Sequence, residues 1–512
     1  MSRTRRAAKG FAASAFQYAL QIGLQAILAP QILKCAGAEV LGAYAALSQV
    51  LGYISLVDFG FSVTLTRFLS QSHGAEDEGR RFRRVLATGR LFLLCSNIVF
   101  AALVLVFSAY VGRLFELTPQ TAQQARNGLI VLACWAVLRT PLAAYNSALI
   151  ASQDLAAANL ISTVQSVGRL LGALVAVRLG LGLFGIMLAS IAVEALASVL
   201  SAVRFHMLLP QRWPSWKHAD RALYLEMLRF SAGVFVVNIA GQLTFNTGNV
   251  VVGSILGAVA VSTFYITQMP TVLIYQLVLR LSDNAMPAVN ELWAKGDLPR
   301  LRHSYEKVFR LTLMLACPLS LGILLFNRVL IVLWVGPARY GGRLMTAGLA
   351  LFALIIAVEH INVIYTVAFG HISLLSRLAI LEGVATVILS VCLCQHFGVA
   401  GATLGLTIAI IPKTLYLFHT ALRKLGLSTV RMLREAVMPV AGIGLAAALI
   451  SFLTQTLFGP AAGWLSFFLN IGLFVGIYSA LAYASLLGDD DKSQIRAMFF
   501  ARSTARLSHS LN

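Results

Sequence analysis

Apolar runs of about 20 residues recur along the whole chain, divided by short polar joints. A helix of that length crosses a hydrocarbon core about 30 Å thick, and a helix satisfies its own backbone groups in lipid. Fourteen such runs can be read: 10–33, 39–67, 84–110, 127–150, 155–177, 182–203, 228–250, 256–280, 304–326, 345–367, 374–394, 398–420, 433–457 and 462–487. The short joints suit antiparallel neighbours. The longest connections are expected at 68–83, 204–227, 281–303 and 327–344, with a tail from Gly488. The first run ends near Leu33 without a clear small-residue cleavage site, so it reads as a retained helix rather than a signal peptide. The pattern predicts an all-α polytopic membrane protein.

Composition agrees. The 512 residues are 58% hydrophobic and 12% charged, with a mean hydropathy of +0.80, where a soluble protein carries about a quarter charged residues. The net charge of +20 needs no nucleic acid to explain it, because cytoplasmic loops of membrane proteins collect Lys and Arg. With the N-terminus placed inside, the inward segments hold 25 Lys and Arg and the outward segments 7. That bias puts both termini in the cytoplasm. Five of the six cysteines lie in apolar runs, and Cys392 and Cys394 point to different helix faces. Neither a disulfide nor a metal site is expected, and no cofactor motif is present.

The stretch VLGAYAALS at 40–48 matches ILGAVAVST at 255–263. The interval covers six spans, an even number, so the two copies have the same orientation, as in parallel-repeat transporters. The expected organisation is an N-terminal six-helix lobe (1–203), a cytoplasmic linker (204–227), a C-terminal six-helix lobe (228–420), two extra helices (421–487) and a cytoplasmic tail (488–512).

Ionisable groups at membrane depth cost roughly 2.5–3.5 kcal/mol each on insertion scales, so they face a partner or a wet cavity. Arg139 is expected near the midplane of span 4, Arg169 in the outer half of span 5, Lys413 in the inner third of span 12 and Arg90 two turns inside span 3. Two readings stand for these bases: salt bridges to Asp58, Glu194, Glu359 or Glu382, or a cationic cavity for an anionic substrate. Arg67 and Arg280 are expected at equivalent cytoplasmic mouths of the two halves. Arg229, Arg310 and Arg377 lie near enough to the edge to snorkel. Glu359 and His360 together suit proton or ion coupling, or a packing pair; Glu194 and Glu382 are further coupling candidates. Gln17, Gln21 and Gln25 share one face of span 1, and Asn238, Gln242, Asn246 and Asn249 make a similar stripe in span 7. Amides both donate and accept hydrogen bonds, so these stripes either join helices or face glycan hydroxyls. No P-loop, nucleotide fold or HExxH motif is present.

Leu41-Gly42-Ala43-Tyr44, Leu56-Val57-Asp58-Phe59-Gly60 and Arg67 together resemble the second-helix signature of polysaccharide and O-antigen flippases. These belong to the multidrug/oligosaccharidyl-lipid/polysaccharide exporter superfamily. PAVNELWAKGD at 287–297 resembles that family's loop after the eighth helix. The resemblance implies two six-helix lobes around a central cavity, plus two helices. It implies alternating-access export of undecaprenyl-diphosphate-linked oligosaccharide across the bacterial inner membrane, for O-antigen, exopolysaccharide or capsule. The partners it implies are the lipid-linked glycan, membrane lipids, and a polysaccharide polymerase with its chain-length machinery. Asp58 and Gly60 then read as a bend with a capping carboxylate. A lipid II flippase and an ion-coupled multidrug antiporter are relatives of the same layout. A glycan polymerase or ligase, an enzyme, would need a larger outer loop than 327–344.

The charge bias has a direct test. Single cysteines at Ser72 and Ser428, in a variant lacking the native six, are expected to be shielded from impermeant outside reagents, and one at Pro337 to react. The opposite pattern inverts the topology.

Overall fold

A computed structural model describes residues 3–58, 60–72, 78–209, 218–283, 285–458, 463–486 and 492. It is helical throughout these residues, and the chain is a multi-pass membrane protein. Among the described residues eleven helices are long and apolar enough to cross a membrane, or twelve if a bent pair at Pro119–Leu138 and Thr140–Ala151 is one span. Two of the eleven contain a corner. Gly37 (φ 88°) and Gly257 (φ 78°) carry extended, left-handed backbone inside otherwise continuous helices, a conformation open mainly to glycine. Dividing the chain there reconciles the count with the fourteen runs. Several helices outrun their apolar stretches: Leu298–Val335 has 38 residues, about 57 Å at 1.5 Å each. Hydropathy marks only the part in hydrocarbon.

The chain divides into two compact units. The first comprises residues 1–266 and 376–409. It holds α1 (Arg3–Ile54), α2 (Phe61–Ser72), α3 (Glu78–Leu114), α4 (Pro119–Leu138), α5 (Thr140–Ala143), α6 (Tyr145–Ala151), α7 (Leu155–Arg178), α8 (Gly182–Leu208), α9 (Arg221–Phe245) and the start of α10 (Gly248–Asp283). Its buried core includes Phe61, Phe82, Phe92, Tyr145 and Phe205. Phe61 stacks on Phe92 at 3.8 Å and Phe82 on Phe205 at 6.2 Å.

The two matched segments at 40–48 and 255–263 meet inside this unit. A Cβ on Gly42 would lie 1.7 Å from the carbonyl oxygen of Ala258 and 3.2 Å from the amide of Ser262. Gly42 therefore faces Ala258 and Ser262 across a small-residue crossing, the usual way for membrane helices to approach closely. The match pairs Gly42 with Gly257, yet Gly42 sits within a helix while Gly257 turns a corner. The corner equivalent to Gly257 is Gly37, five residues earlier.

The second unit comprises residues 267–375 and 410–512. It contains α11 (Met286–Ala294), α12 (Leu298–Val335), α13 (Arg343–Ala368), the end of α15 (Val399–Leu425), α16 (Thr429–Met432), α17 (Met438–Phe458) and α18 (Trp464–Ser485); α14 (Ile372–Phe397) lies mostly in the first. Tyr305 stacks on Phe309 at 5.7 Å, meets Tyr365 edge-on at 4.9 Å and donates its hydroxyl to Asn362 Oδ1 at 2.8 Å. The last two helices pack on α12: Phe326 meets Phe467 and Phe474, and the Tyr478 hydroxyl donates to the Met314 carbonyl at 2.9 Å. They are part of this core.

Ser72, expected in a loop, is fully buried at the end of α2. Shielding there says nothing of topology, and the exposed Arg81 takes its place in the labelling test.

The Gly42 crossing admits no side chain. Gly42→Val is expected to cost at least the upper part of the 1–3 kcal/mol typical of overpacking, read as lost monodisperse protein in detergent. Gly23→Ala, with open space around it, is expected to leave yield and melting unchanged.

Candidate functional site

Span 4 breaks in its middle. Pro141 has no N–H to continue the ladder and its ring clashes with the preceding turn. The two pieces meet at Arg139 with a bend of 63°. Span 2 breaks as well, through a single tight turn over Ser55–Asp58 and Gly60 at φ 66°. The Gly60 amide donates to Asp58 Oδ1 at 2.7 Å, so Asp58 caps the break.

A cavity of about 360 Å³ lies within the first unit, walled by α1, α3, α4, α7 and α8. Three charged side chains line it: Arg139, Arg169 and Glu194. Arg139 Nη1 donates to Glu194 Oε1. Their side chains are 33% and 24% exposed, so the pair borders open space. Arg169 is exposed and has no ion-pair partner among the described residues. Two guanidinium groups against one carboxylate leave the lining with an excess positive charge.

The neutral groups are also polarised. Ser48, Ser55 and Ser190 donate their hydroxyls back to their own helices, at 2.7, 2.7 and 3.0 Å. That leaves oxygen lone pairs toward the cavity. The buried Nε of Arg139 and Nε1 of Trp135 have no hydrogen-bond partner among the described residues. Trp135 carries no mark in the sequence, and Tyr44 enters the sequence analysis only through the family motif. Spacing held a signal: Trp135 and Arg139, Tyr44 and Ser48, and Ser190 and Glu194 are each four apart, hence on one helix face.

The remaining candidates lie elsewhere. Arg67 is exposed, with its guanidinium 4.2 Å over the Phe230 ring. Arg90 is buried, with its guanidinium 5.9 Å from the Tyr145 ring; it belongs to core packing and does not line the cavity. Lys413 Nζ pairs with Glu359 Oε1 at 2.6 Å, the side chains 11% and 6% exposed. His360 Nε2 pairs with Asp283 Oδ1 at 2.7 Å. Glu359 and His360 therefore serve separate contacts, because neighbours on a helix point about 100° apart. Asp283, the last residue of α10, had been read as loop. Glu382 is buried in α14.

The span 7 amides are tied in mostly through backbone atoms. Asn246 donates to Gln242 Oε1 one turn away. The backbone N–H of Asn249 donates to Gln49 Oε1 at 2.9 Å, while its buried side-chain Oδ1 has no hydrogen-bond partner among the described residues. The Tyr53 hydroxyl donates to the backbone carbonyl of Gln242 at 3.1 Å and bonds the Thr247 hydroxyl at 2.6 Å. These bonds join α9 and α10 to α1; of the four amide residues Asn238 is exposed. Gln25 borders a separate space of about 30 Å³ beside Tyr44 and Tyr265. The side chains of Gln17, Gln21 and Arg280 lie outside the described residues.

The buried Lys413–Glu359 pair predicts a stability effect. Lys413→Ala removes the cation paired with Glu359 Oε1, and breaking such a pair costs about 3–5 kcal/mol. The expected readout is a lower melting temperature and membrane level. Lys413→Met combined with Glu359→Gln should restore both; failure to do so would show that the lysine acts outside the pair.

The family described as MatE matches residues 13–177, a segment that includes α4, Arg139 and Arg169. Among curated proteins no sequence matches. The fold is shared with solved structures at low identity. The lipid II flippase MurJ in an inward closed conformation aligns at a TM-score of 0.71 and 14% identity, over 92% of this chain and 97% of that one. An inward-facing multidrug resistance MATE family transporter of the MOP superfamily aligns at 0.68 and 16%, over 80% and 94%. A MOP superfamily transporter from Pyrococcus furiosus, described as having a binding pocket of reverse polarity, aligns at 0.55 and 15%, over 80% and 94%.

Proposed function

We propose that this protein is a flippase for undecaprenyl-diphosphate-linked oligosaccharide, moving surface-polysaccharide repeat units across a bacterial inner membrane by alternating access. One observation carries the reading: the cavity of the first unit offers two guanidinium groups against one carboxylate. A diphosphate entering it meets charge pairing that is stronger than in water, and arginine presents the planar donor fork that phosphate takes. The prenyl tail can stay in lipid throughout. Both termini are cytoplasmic in this reading, and a polymerase with its chain-length machinery receives the product.

Fold likeness to a lipid II flippase over 92% of the chain supports a lipid-linked substrate. Lipid II presents the same diphosphate, so it is the closest rival. A cationic drug fits the excess positive charge poorly.

The test is transport of a fluorescent prenyl-diphosphate oligosaccharide in proteoliposomes, read by an impermeant quencher. Wild-type protein should move the label between leaflets. Losing one charged hydrogen bond costs about 1.5–3 kcal/mol, so Arg169→Ala should slow transport at least tenfold with normal insertion and melting. Arg377→Ala, at an exposed position outside the cavity lining, should be neutral. Arg139→Ala should lower the protein level, because it strands Glu194, and adding Glu194→Gln should recover it. A label that never crosses with wild-type protein sinks the reading. Movement of lipid II in preference to other glycans moves it to the rival.

A further inference from the structure

The cavity wall contributed by α4 holds two donors with nothing to donate to. Trp135 Nε1 and Arg139 Nε are both buried and unpartnered among the described residues. They lie four residues apart, on one face of a helix, and both side chains line the same cavity. A buried N–H without an acceptor costs about 1–3 kcal/mol, a cost that a ligand bearing acceptor oxygens would remove. Glu194 already holds the Nη1 corner of Arg139, so the unpartnered donor is Nε.

We infer that Trp135 and Arg139 form a subsite for the sugar attached directly to the diphosphate, with Arg169 taking the phosphate oxygens; the inference rests on the lipid-diphosphate reading above. A pyranose presents C–H groups on its faces and hydroxyl oxygens at its rim. The first suit the electron-rich face of an indole, the second its N–H. The serine oxygens of the lining, whose hydrogens point back into their helices, accept from sugar hydroxyls. About 360 Å³, near the bottom of the roughly 300–1,000 Å³ range of small-ligand pockets, has room for a diphosphate with one sugar ring.

The experiment compares two ligands with the purified full chain in detergent: prenyl diphosphate, and the same lipid carrying one N-acetylglucosamine. The wild type should bind the sugar-bearing lipid about tenfold more tightly, a 1.4 kcal/mol difference. Trp135→Phe, which keeps a ring and removes the N–H, should cut that preference to threefold or less. Trp135→Ala should abolish it. Arg169→Ala should weaken both lipids equally and keep the preference for the sugar-bearing one. Equal wild-type affinity for the two lipids, or a tenfold preference that survives both Trp135 changes, overturns the subsite and leaves the lipid-diphosphate reading standing. Failure of the wild type to bind either lipid overturns both.

Discussion

An ionised side chain in hydrocarbon must find a partner or water, and the charged residues of this protein sort by how they meet that demand. Lys413 and Glu359 meet it dry, in a pair with almost no exposure. Such a pair stabilises little on its own account, because desolvation offsets most of the attraction, but either half alone is expensive. Arg139 and Glu194 meet it wet, at the edge of a cavity. Arg169 is held beside that same cavity without a counter-charge among the described residues. The difference between the two pairs separates scaffold from site. A buried pair offers a soluble ligand no access, whereas a pair at the edge of a cavity can exchange its carboxylate for an anionic ligand.

The breaks in the helices serve the same demand. Pro141 interrupts span 4 at Arg139, and Asp58 caps the interruption of span 2 through the Gly60 amide. Backbone freed from its ladder must be satisfied locally when lipid surrounds it. At span 2 the carboxylate of Asp58 does this. Asp58, which the resemblance implies to be a capping carboxylate, is thus a backbone partner. Arg67, the base that follows it, rests on the Phe230 ring.

Spans, fold class and the sign of the cavity were legible because they depend on composition along one helix. Insertion cost alone marked Arg139, Arg169 and Glu194. Pairing was not legible, since it depends on rotation about the helix axis and on which helices adjoin. Glu359 and His360 are neighbours in sequence and face different partners, and Asp283 was hidden in what looked like a loop. The repeat was visible but out of register by five residues, because small residues recur on both sides of each corner and only backbone torsion distinguishes Gly37 from Gly42. Trp135 was passed over because an aromatic residue in an apolar span is ordinary packing until a cavity adjoins it.

A fold shared with both a lipid flippase and a multidrug transporter does not choose a cargo, since folds host many functions. The choice falls to features that the fold leaves free. The feature that bears on it is the cavity lining itself. A lining that carries net positive charge and unsatisfied N–H donors, with its hydroxyl protons turned away, is complementary to an acceptor-rich anion. Cationic substrates would meet the reverse of what they need. In the proposed reading, cargo selection follows from the chemistry of a few side chains on α4, α7 and α8, set into a scaffold that tolerates other linings.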